Sequence, residues 1–188
     1  IGKGYYDTRF NTDFALAMIN AGENFGAKQL IDDAAVYGKF LVSYAAKRHY
    51  TVGSGESEGW LIDDYWNESG SPKRTHVSLN HHTAEAAFLY RLADATGDES
   101  YAQTAEKMVK GIENTAAKWI MTDGDLYYSY GNNGRMITGD YPYLTCNDLL
   151  ELQRLWTKRH GAANEAVSKL MASKLAWMNK NGITGYNK

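Results

Sequence analysis

The 188-residue sequence has one cysteine, two prolines, a net charge of only −2 and no long hydrophobic run. The single cysteine, Cys146, excludes an internal disulfide and a Cys-x-x-Cys redox or zinc motif. A balance of 20 basic against 22 acidic residues provides no strongly basic surface for nucleic acid. No run approaches the ~18 apolar residues of a membrane span. We therefore expect neither a nucleic-acid partner nor insertion into a membrane.

The sequence is instead rich in aromatic residues, with 14 tyrosines and 5 tryptophans. In such numbers these residues form either a core or a stacking surface for flat ligands such as sugar rings. The sequence begins at Ile1, without methionine and without the charged and apolar regions of a signal peptide. We interpret it as a mature or excised piece and favour an extracellular or cell-envelope location, which would make the protein a secreted one.

Six segments carry apolar residues at helical spacing, and they predict six helices. Glycines at positions 26, 97 and 161 separate these segments in pairs, as expected for glycines just after a helix end. Asp98 is a suitable N-cap, and Thr145-x-x-Asp148 resembles a capping box. The pattern thus predicts three helical hairpins, with helices over residues 11–22, 27–50, 78–96, 99–121, 145–160 and 164–181.

Two long, glycine-rich and aromatic segments, 53–77 and 122–144, join the hairpins. Each contains a strand-like run, over 60–66 and 126–130, and connections of this length usually carry function. Consecutive hairpins with long loops at one end describe an all-α fold, an (α/α) toroid or half-toroid. We predict a single domain over residues 1–188. Since three hairpins make half of a six-hairpin toroid, we expect it to be the C-terminal part of a longer enzyme, completed by an N-terminal domain or a second subunit.

The second long segment has the densest pattern of chemically active side chains. A tyrosine-rich run (Tyr127, Tyr128 and Tyr130) precedes Arg135, and Asp140-Tyr141, Asn147 and Leu149 then mark a helix start. This resembles the C-terminal domain of the D-glucuronyl C5-epimerase family, with its Tyr-rich strand, Arg and Asp-Tyr-His-x-x-His-x-Asn-x-Leu helix start. Pro142 stands where that family has its first His.

A second stretch follows the same family's order. Tyr65, Val77-Ser-Leu-Asn80 and Ala95-Thr-Gly-Asp98 match a tyrosine loop, a helix start and a helix end, with His81 in place of a Gly. The resemblance covers roughly residues 60 to 160. It implies an enzyme that acts on an acidic, uronic-acid polysaccharide or oligosaccharide without a cofactor.

C5 epimerisation removes a proton next to a carboxylate and returns one from the opposite face of the sugar. Tyr130 and Tyr141 are the two predicted acid/base groups. Arg135 is the predicted carboxylate clamp, and a neighbouring Arg also favours the phenolate form of tyrosine. Tyr128 and the histidine His82 are further catalytic candidates. The predicted substrate-binding residues are Trp60, Tyr65, Trp66, Asn80, Tyr143 and Asn147; the two tryptophans share one face of the 60–66 strand and would form a sugar-stacking platform.

Three alternatives remain open at this point. The acids of the two long segments favour a glycoside hydrolase, which needs a pair of carboxylates, and a polysaccharide lyase fits the same fold. A non-catalytic carbohydrate-binding or interaction domain would need only exposed aromatics.

His76 and His82 with a loop acid could bind a metal, and Asp123-Gly-Asp125 has a weak similarity to a calcium loop, but we expect no metal site. The loop acids are Glu56, Glu58, Asp63, Asp64, Glu68, Asp123, Asp125 and Asp140.

Overall fold

The computed structural model describes residues 4–68, 73–137 and 139–184. Six helices account for most of this part of the chain and confirm the all-α prediction. None of the helices described is both long and apolar enough to cross a membrane. The helices are α1 (Thr8–Phe25), α2 (Lys28–Lys47), α3 (Leu79–Thr96), α4 (Glu99–Trp119), α5 (Leu144–His160) and α6 (Glu165–Lys180).

The helices form three antiparallel hairpins, α1–α2, α3–α4 and α5–α6, arranged side by side. Helices α1, α3 and α5 form an inner row, in which α3 packs against both of its neighbours. Every residue of α3 from Leu79 to Tyr90 is buried, whereas α1 and α5 each have one flank without a hairpin neighbour. The core therefore centres on α3, and the arrangement is half of an (α/α) toroid.

Each hairpin turns at a glycine, as predicted. Gly26, Gly97 and Gly161 have φ angles of 66°, 74° and 74°, and each donates its amide to a carbonyl of the preceding helical turn. This left-handed conformation is accessible to glycine without the steric cost that a Cβ brings. The Asp98 side chain caps α4 by accepting the amide of Ser100.

Both long connections lie at the same end of the hairpins, because strands from the two pair with each other. In this three-stranded sheet β5 (Val77–Ser78) pairs with β6 (Ser129–Tyr130), and β6 pairs with β7 (Met136–Ile137). Two smaller antiparallel sheets flank it. They join β1 (Tyr5–Asp7) to β4 (Tyr65–Asn67), and β2 (His49–Val52) to β3 (Gly59–Ile62).

The first connection packs closely against α4 through two glycines. A Cβ at Gly59 would lie 2.2 Å from the Gly111 nitrogen, and a Cβ at Gly111 would lie 2.1 Å from the Trp60 carbonyl oxygen. Since real Cβ atoms do not approach this closely, only glycine at both positions lets the β3 backbone lie directly on α4.

Several predicted boundaries were wrong. Helix α1 begins at Thr8, because Asp7 accepts the Phe10 amide and caps it. Helix α2 ends at Lys47, because the chain continues as β2. The predicted capping box is not formed. Thr145 lies inside α5 and donates to Asp140 Oδ1 at 2.5 Å, while Asp148 binds Arg9.

The predicted strand over 60–66 is two strands in different sheets. The chain leaves strand geometry at Asp63 and Asp64, between β3 and β4. The amide of Asp63 donates to the Arg48 carbonyl, and the amide of Asp64 donates to the His76 carbonyl. Trp60 and Trp66 therefore do not share a strand face, and the predicted common stacking platform was wrong.

Candidate active site

A buried carboxylate, that of Asp64, lies at the loop end of the inner helices. Its Oδ1 accepts the backbone amide of Ser78 at 2.7 Å, and its Oδ2 accepts the Ser78 hydroxyl. The carbonyl of Asp64 accepts both the amide and the hydroxyl of Thr8, at 3.0 and 2.6 Å. Asp64 is thus held by the first residue of α1 and by the residue that precedes α3.

Two histidines approach this carboxylate. Nε2 of His76 lies 3.2 Å from Asp64 Oδ2, and Nδ1 of His81 lies 3.6 Å from the same oxygen. The interaction with Asp64 raises the pKa of His76 above its usual value, and desolvation opposes this increase only in part. His76 is also partly exposed, so its ring can exchange a proton with a ligand or with solvent.

Tyrosine rings surround the two histidines. The Tyr65 ring meets His76 and His81 edge-on, at centroid distances of 5.7 and 6.1 Å. The Tyr128 ring lies 5.9 Å from the His76 ring and 5.8 Å from the Tyr141 ring. Burial raises the pKa of Tyr65 and Tyr128, whereas Tyr141 is 47% exposed. We call this group the Asp64 cluster: Asp64, Tyr65, His76, His81, Tyr128 and Tyr141.

An ion pair below the cluster links the three inner helices. Arg9 of α1 forms two hydrogen bonds to Asp148 of α5, at 2.7 and 3.0 Å, and a third to the carbonyl of Asn80 at the start of α3. Burial raises the pKa of Asp148 to about 6, even though the hydrogen bonds from Arg9 act in the opposite direction. Nearby on α3, Glu85 is completely buried, and desolvation raises its pKa.

The second connection is fixed by a buried lysine. Lys174 of α6 is fully buried, and its Nζ lies 2.5 Å from Asp125 Oδ1 and 2.6 Å from Asp140 Oδ2. Burial also raises the pKa of Asp140. Asp140 directly precedes Tyr141, so this contact holds the segment that brings Tyr141 to the cluster. Asp125 and Asp140 thus have structural partners.

The other acids and histidines do not gather into an obvious metal site. Asp63 binds Arg74 through both carboxylate oxygens and also contacts Arg48. In the described ranges no three His, Cys, Asp or Glu side chains are placed so that they could hold a metal ion.

His82 is placed differently from its sequence prediction. Its ring is completely buried between α3, α4 and β3, with Nε2 3.0 Å from the Met108 carbonyl oxygen. The amide of Ile62 approaches its Nδ1 at 3.5 Å. Burial lowers the pKa of His82 to about 4, which keeps the ring neutral. We therefore assign it to the core and leave it out of the candidate active site.

Tyr130 and Arg135 are also not among the residues that meet at Asp64. The Tyr130 ring packs edge-on against Tyr50 at 5.6 Å. Arg135 is exposed at the turn between β6 and β7, where its amide binds Asn133. The structure thus brings together Tyr128 and Tyr141 instead of Tyr130 and Tyr141.

The predicted substrate-binding residues are divided among several places. Trp60 stacks on His49 at 4.3 Å, with Lys107 over its ring at 4.2 Å. Trp66 packs against Tyr6 and Phe40, at 5.1 and 5.2 Å. Of the remaining four, Tyr65 belongs to the Asp64 cluster, Asn80 is buried at the start of α3, and Tyr143 accepts the Asn147 amide at the start of α5.

The sequence pattern did not reveal Asp64, His76 and His81 as one group. It pointed to Asp64 as one of the hydrolase acids and to His76 as a metal ligand, and it named His81 only as the residue in place of a Gly. These three side chains come together because the chain leaves strand geometry after β3, which places Asp64 beside β5. The short spacing of His76, Ser78 and His81 around a helix start was the available signal.

Comparison with known proteins shows the fold. No family model and no curated protein sequence matches the chain. Among solved structures it is similar to a family 76 glycoside hydrolase, an α-mannanase of Bacteroides thetaiotaomicron, with 13% identity over 93% of this chain and 44% of that one, at a TM-score of 0.66. A D-mannose isomerase is 17% identical over 94% of this chain and 44% of its own, also at 0.66.

A third structure, cellobiose 2-epimerase from Bacillus thermoamylovorans, is 13% identical over 92% of this chain and 44% of its own, with a TM-score of 0.61. The chain spans less than half the length of these structures. The comparisons support the (α/α)-toroid arrangement and do not test the resemblance to C5-epimerases, which stays a prediction.

Proposed function

We propose that this chain belongs to a carbohydrate-active enzyme that moves a proton on a sugar, as an epimerase or isomerase does. The observation that carries the proposal is the Asp64 cluster, in which His76 lies against a buried carboxylate and the exposed Tyr141 contacts Tyr128. The similarity of the fold to those of a mannose isomerase and a cellobiose epimerase supports this proposal by analogy.

His76 is the proposed general base. Its Nε2 faces Asp64, so Nδ1 is the nitrogen that exchanges a proton with the substrate. Asp64 orients the ring and stabilises the imidazolium that forms, as a buried carboxylate does for a catalytic histidine. The raised pKa of His76 makes its neutral imidazole a stronger base.

Tyr141 is the proposed second acid/base group. An epimerase needs groups on both faces of the sugar ring, and Tyr141 is the exposed ring that contacts Tyr128, which in turn contacts His76. Tyr65 and Tyr128 offer hydroxyls and ring edges to a bound sugar. Tyr128 is therefore a wall of the proposed site, whereas His76 and Tyr141 are the proposed reactive groups.

Within this class, we favour a uronic acid unit of an acidic polysaccharide as the substrate. The support is the resemblance of residues 60 to 160 to C5-epimerases. The developing negative charge next to the substrate carboxylate needs a nearby cation. His81, whose Nδ1 lies 3.6 Å from Asp64 Oδ2, is the side chain of the cluster that we propose for that role, whereas Arg135 lies outside the cluster.

A glycoside hydrolase is the second candidate. Asp63 and Asp64 are consecutive residues that place two carboxylates at the loop end of the inner helices. In addition, two family 76 hydrolases share the fold. Hydrolysis needs two carboxyl groups that both reach the glycosidic bond. The arginine contacts of Asp63 and the burial of Asp64 favour proton transfer through His76 instead.

The test uses the chain with a non-sulfated, glucuronic-acid-containing polysaccharide in deuterated water. We expect deuterium to enter at C5 without cleavage of the polymer, as detected by NMR and mass spectrometry. New reducing ends would instead support a hydrolase. An unsaturated product that absorbs in the near ultraviolet would support a lyase, and either result would contradict the epimerase proposal.

Two matched variants identify the groups responsible. Tyr141→Phe removes only the phenolic oxygen, so we expect loss of exchange in a folded protein. Tyr6→Phe is the control, because Tyr6 is 49% exposed and lies outside the cluster. Equal exchange rates in the two variants would exclude Tyr141 as an acid/base group.

A further inference from the structure

Next to the Asp64 cluster, Asp63 lies between two arginines. Its two carboxylate oxygens accept hydrogen bonds from Nε of Arg74, at 3.0 and 2.9 Å, and Nη2 of Arg48 lies 3.2 Å from Oδ2. The Asp63 side chain is fully buried, whereas the Arg74 side chain is 35% exposed. One carboxylate is thus shared by two guanidinium groups, and the three side chains together carry a net positive charge.

The guanidinium group of Arg74 is held in a fixed position. Its central carbon lies 3.9 Å from the centre of the Tyr50 ring, and Tyr50 donates its hydroxyl to the Thr75 carbonyl at 2.8 Å. Tyr130 packs edge-on against the same ring. Asp63 therefore contacts one edge of the guanidinium group, and Tyr50 covers one of its faces. A cation fixed in this way loses little conformational entropy when it binds a ligand.

One nitrogen of Arg74 has no partner in the part of the chain that the structure describes. Nε and Nη2 face Asp63, with Nη2 2.9 Å from Oδ1, but Nη1 forms no hydrogen bond with a described residue. Asp63 is also the only acidic side chain among the described residues that contacts Arg74. Because a guanidinium group has five N–H donors and keeps its charge, Arg74 can still bind an anion.

Arg74 lies close to the proposed base, His76. The segment that contains both runs beside Asp63 and Asp64, since the amide of Asp64 donates to the His76 carbonyl at 3.1 Å. Arg74 pairs with Asp63, and His76 pairs with Asp64, so the two contacts are consecutive along the same two segments. A sugar bound at His76 would thus lie near a partly exposed guanidinium group.

We propose that Arg74 is a specificity-determining residue, which binds the carboxylate of a uronic acid unit in the substrate. The inference rests on the proposed function and adds the residue that recognises the acidic group. The unpartnered Nη1 donates a charge-assisted hydrogen bond to the carboxylate. A neutral sugar provides no charge to replace the water that Arg74 loses on binding. Arg74 thus takes the role that the sequence assigned to Arg135, which lies outside the cluster.

The first test compares two ligands that differ only in their carboxyl groups. Isothermal titration calorimetry measures the binding of glucuronic-acid oligosaccharides, and of the same oligosaccharides after their carboxyl groups have been reduced to alcohols. We expect the unmodified chain to bind the acidic form about tenfold more tightly, as one hydrogen bond between charged groups would give. Equal affinities, or no binding of the acidic form, would overturn the proposal.

Arg74→Gln identifies the residue responsible. We expect the acidic form to bind about tenfold more weakly and the reduced form to bind as before. Arg74→Lys, which keeps the charge but not the planar group, should retain part of the preference. Arg154→Gln is the matched control, because it removes the same charge from the exposed side of α5. An equal preference for the acidic form in Arg74→Gln and Arg154→Gln would overturn the proposal.

Asp63→Asn separates recognition of the ligand from a structural role of Arg74. Without the competing carboxylate, Arg74 is more available to an anion, so we expect the acidic form to bind several-fold more tightly, in a protein shown by circular dichroism to be folded. If Arg74 only neutralised Asp63, the affinity would not rise, and that result would contradict the proposal. If Arg74→Gln alone does not fold, the double variant Asp63→Asn/Arg74→Gln replaces it, because it leaves no buried Asp63 carboxylate without Arg74. A preference for the acidic form in this double variant would contradict the proposal as well.

The binding experiments do not depend on turnover. Binding that requires both the carboxylate and Arg74, without entry of deuterium at C5, would refute the epimerase function and leave this inference intact. Deuterium exchange with the same kcat and KM in the unmodified chain and in Arg74→Gln would refute the inference alone.

Discussion

At the scale of single residues, the contact between Asp64 and His76 gives the site its pH dependence. The carboxylate is held by the amide and hydroxyl of Ser78, so it has a fixed position from which it stabilises a positive charge on His76. The same contact has a proposed role in catalysis, and it also contributes to the free energy of unfolding. The contribution to the free energy of unfolding can be tested without knowing the substrate.

We expect His76→Gln to destabilise the protein more at pH 5.5 than at pH 8.5. The folded pKa of His76 is raised above its unfolded value of about 6.5. Its contribution to the free energy of unfolding is therefore fully present below that value and is lost as the pH rises through the folded pKa. Urea unfolding of both proteins at the two pH values measures the difference.

The Asp64→Asn background provides the control for this measurement. Without the carboxylate, His76→Gln should have the same effect on unfolding at both pH values. A pH dependence that persists in this background would mean that another group raises the pKa of His76.

The sequence identified some of these residues but not their grouping. Tyr65, Tyr128 and Tyr141 were predicted from the tyrosine-rich segments and from the resemblance to C5-epimerases, and all three lie in the cluster. His82 was chosen for its position at a helix start, yet one helical step of about 100° separates it from His81. That step turns His81 toward Asp64 and His82 into the core, and the sequence around the two histidines contains no signal that distinguishes them.

At the scale of elements, the contact between β3 and α4 depends on Gly59 and Gly111. We expect Gly111→Ala to destabilise the protein by about 3 kcal/mol, because the new methyl group would push against the Trp60 carbonyl. Thermal or urea unfolding measures the change.

Gly161→Ala is the comparison for this prediction. A Cβ there meets no atom within 4 Å, but the backbone has a φ of +74°. The expected cost is about 1 kcal/mol, from the left-handed conformation alone. If the two substitutions had equal effects, close packing of β3 on α4 would not be what constrains Gly111.

Helices were predictable from sequence because they have apolar residues at helical spacing, and because three of them, α1, α3 and α5, end at a glycine. The segments between them were less predictable, since their short strands are defined by partners far away in the chain. Val77 pairs with Tyr130, and Tyr6 pairs with Trp66. The predicted capping box at the start of α5 was wrong for the same reason. The hydroxyl of Thr145 binds Asp140, outside the helix, rather than an amide of its own helix.

At the scale of the whole molecule, α3 connects all three hairpins. It packs against α1, α2, α4 and α5, so loss of α3 would remove support from each of them. We therefore predict that the chain unfolds as one domain. Tryptophan fluorescence and far-ultraviolet circular dichroism should give the same urea midpoint.

Separate midpoints would contradict the single-domain prediction. The hairpin α5–α6 is the part to examine in that case, because it lies at one end of the row. Phe14→Asp is the control variant for this comparison of the two urea midpoints, since it alters an exposed side chain without changing contacts of α3.

The single cysteine allows motion of the part of the site that carries Tyr141 to be followed chemically. Cys146 is buried near the start of α5, and burial raises the pKa of its thiol. A thiol-specific reagent therefore reacts slowly while the helix is in place and quickly once it separates from its neighbours. Because α5 begins at Leu144, three residues after Tyr141, the labelling rate reports how often this side of the proposed cleft opens, and a bound sugar that closes the cleft would slow it.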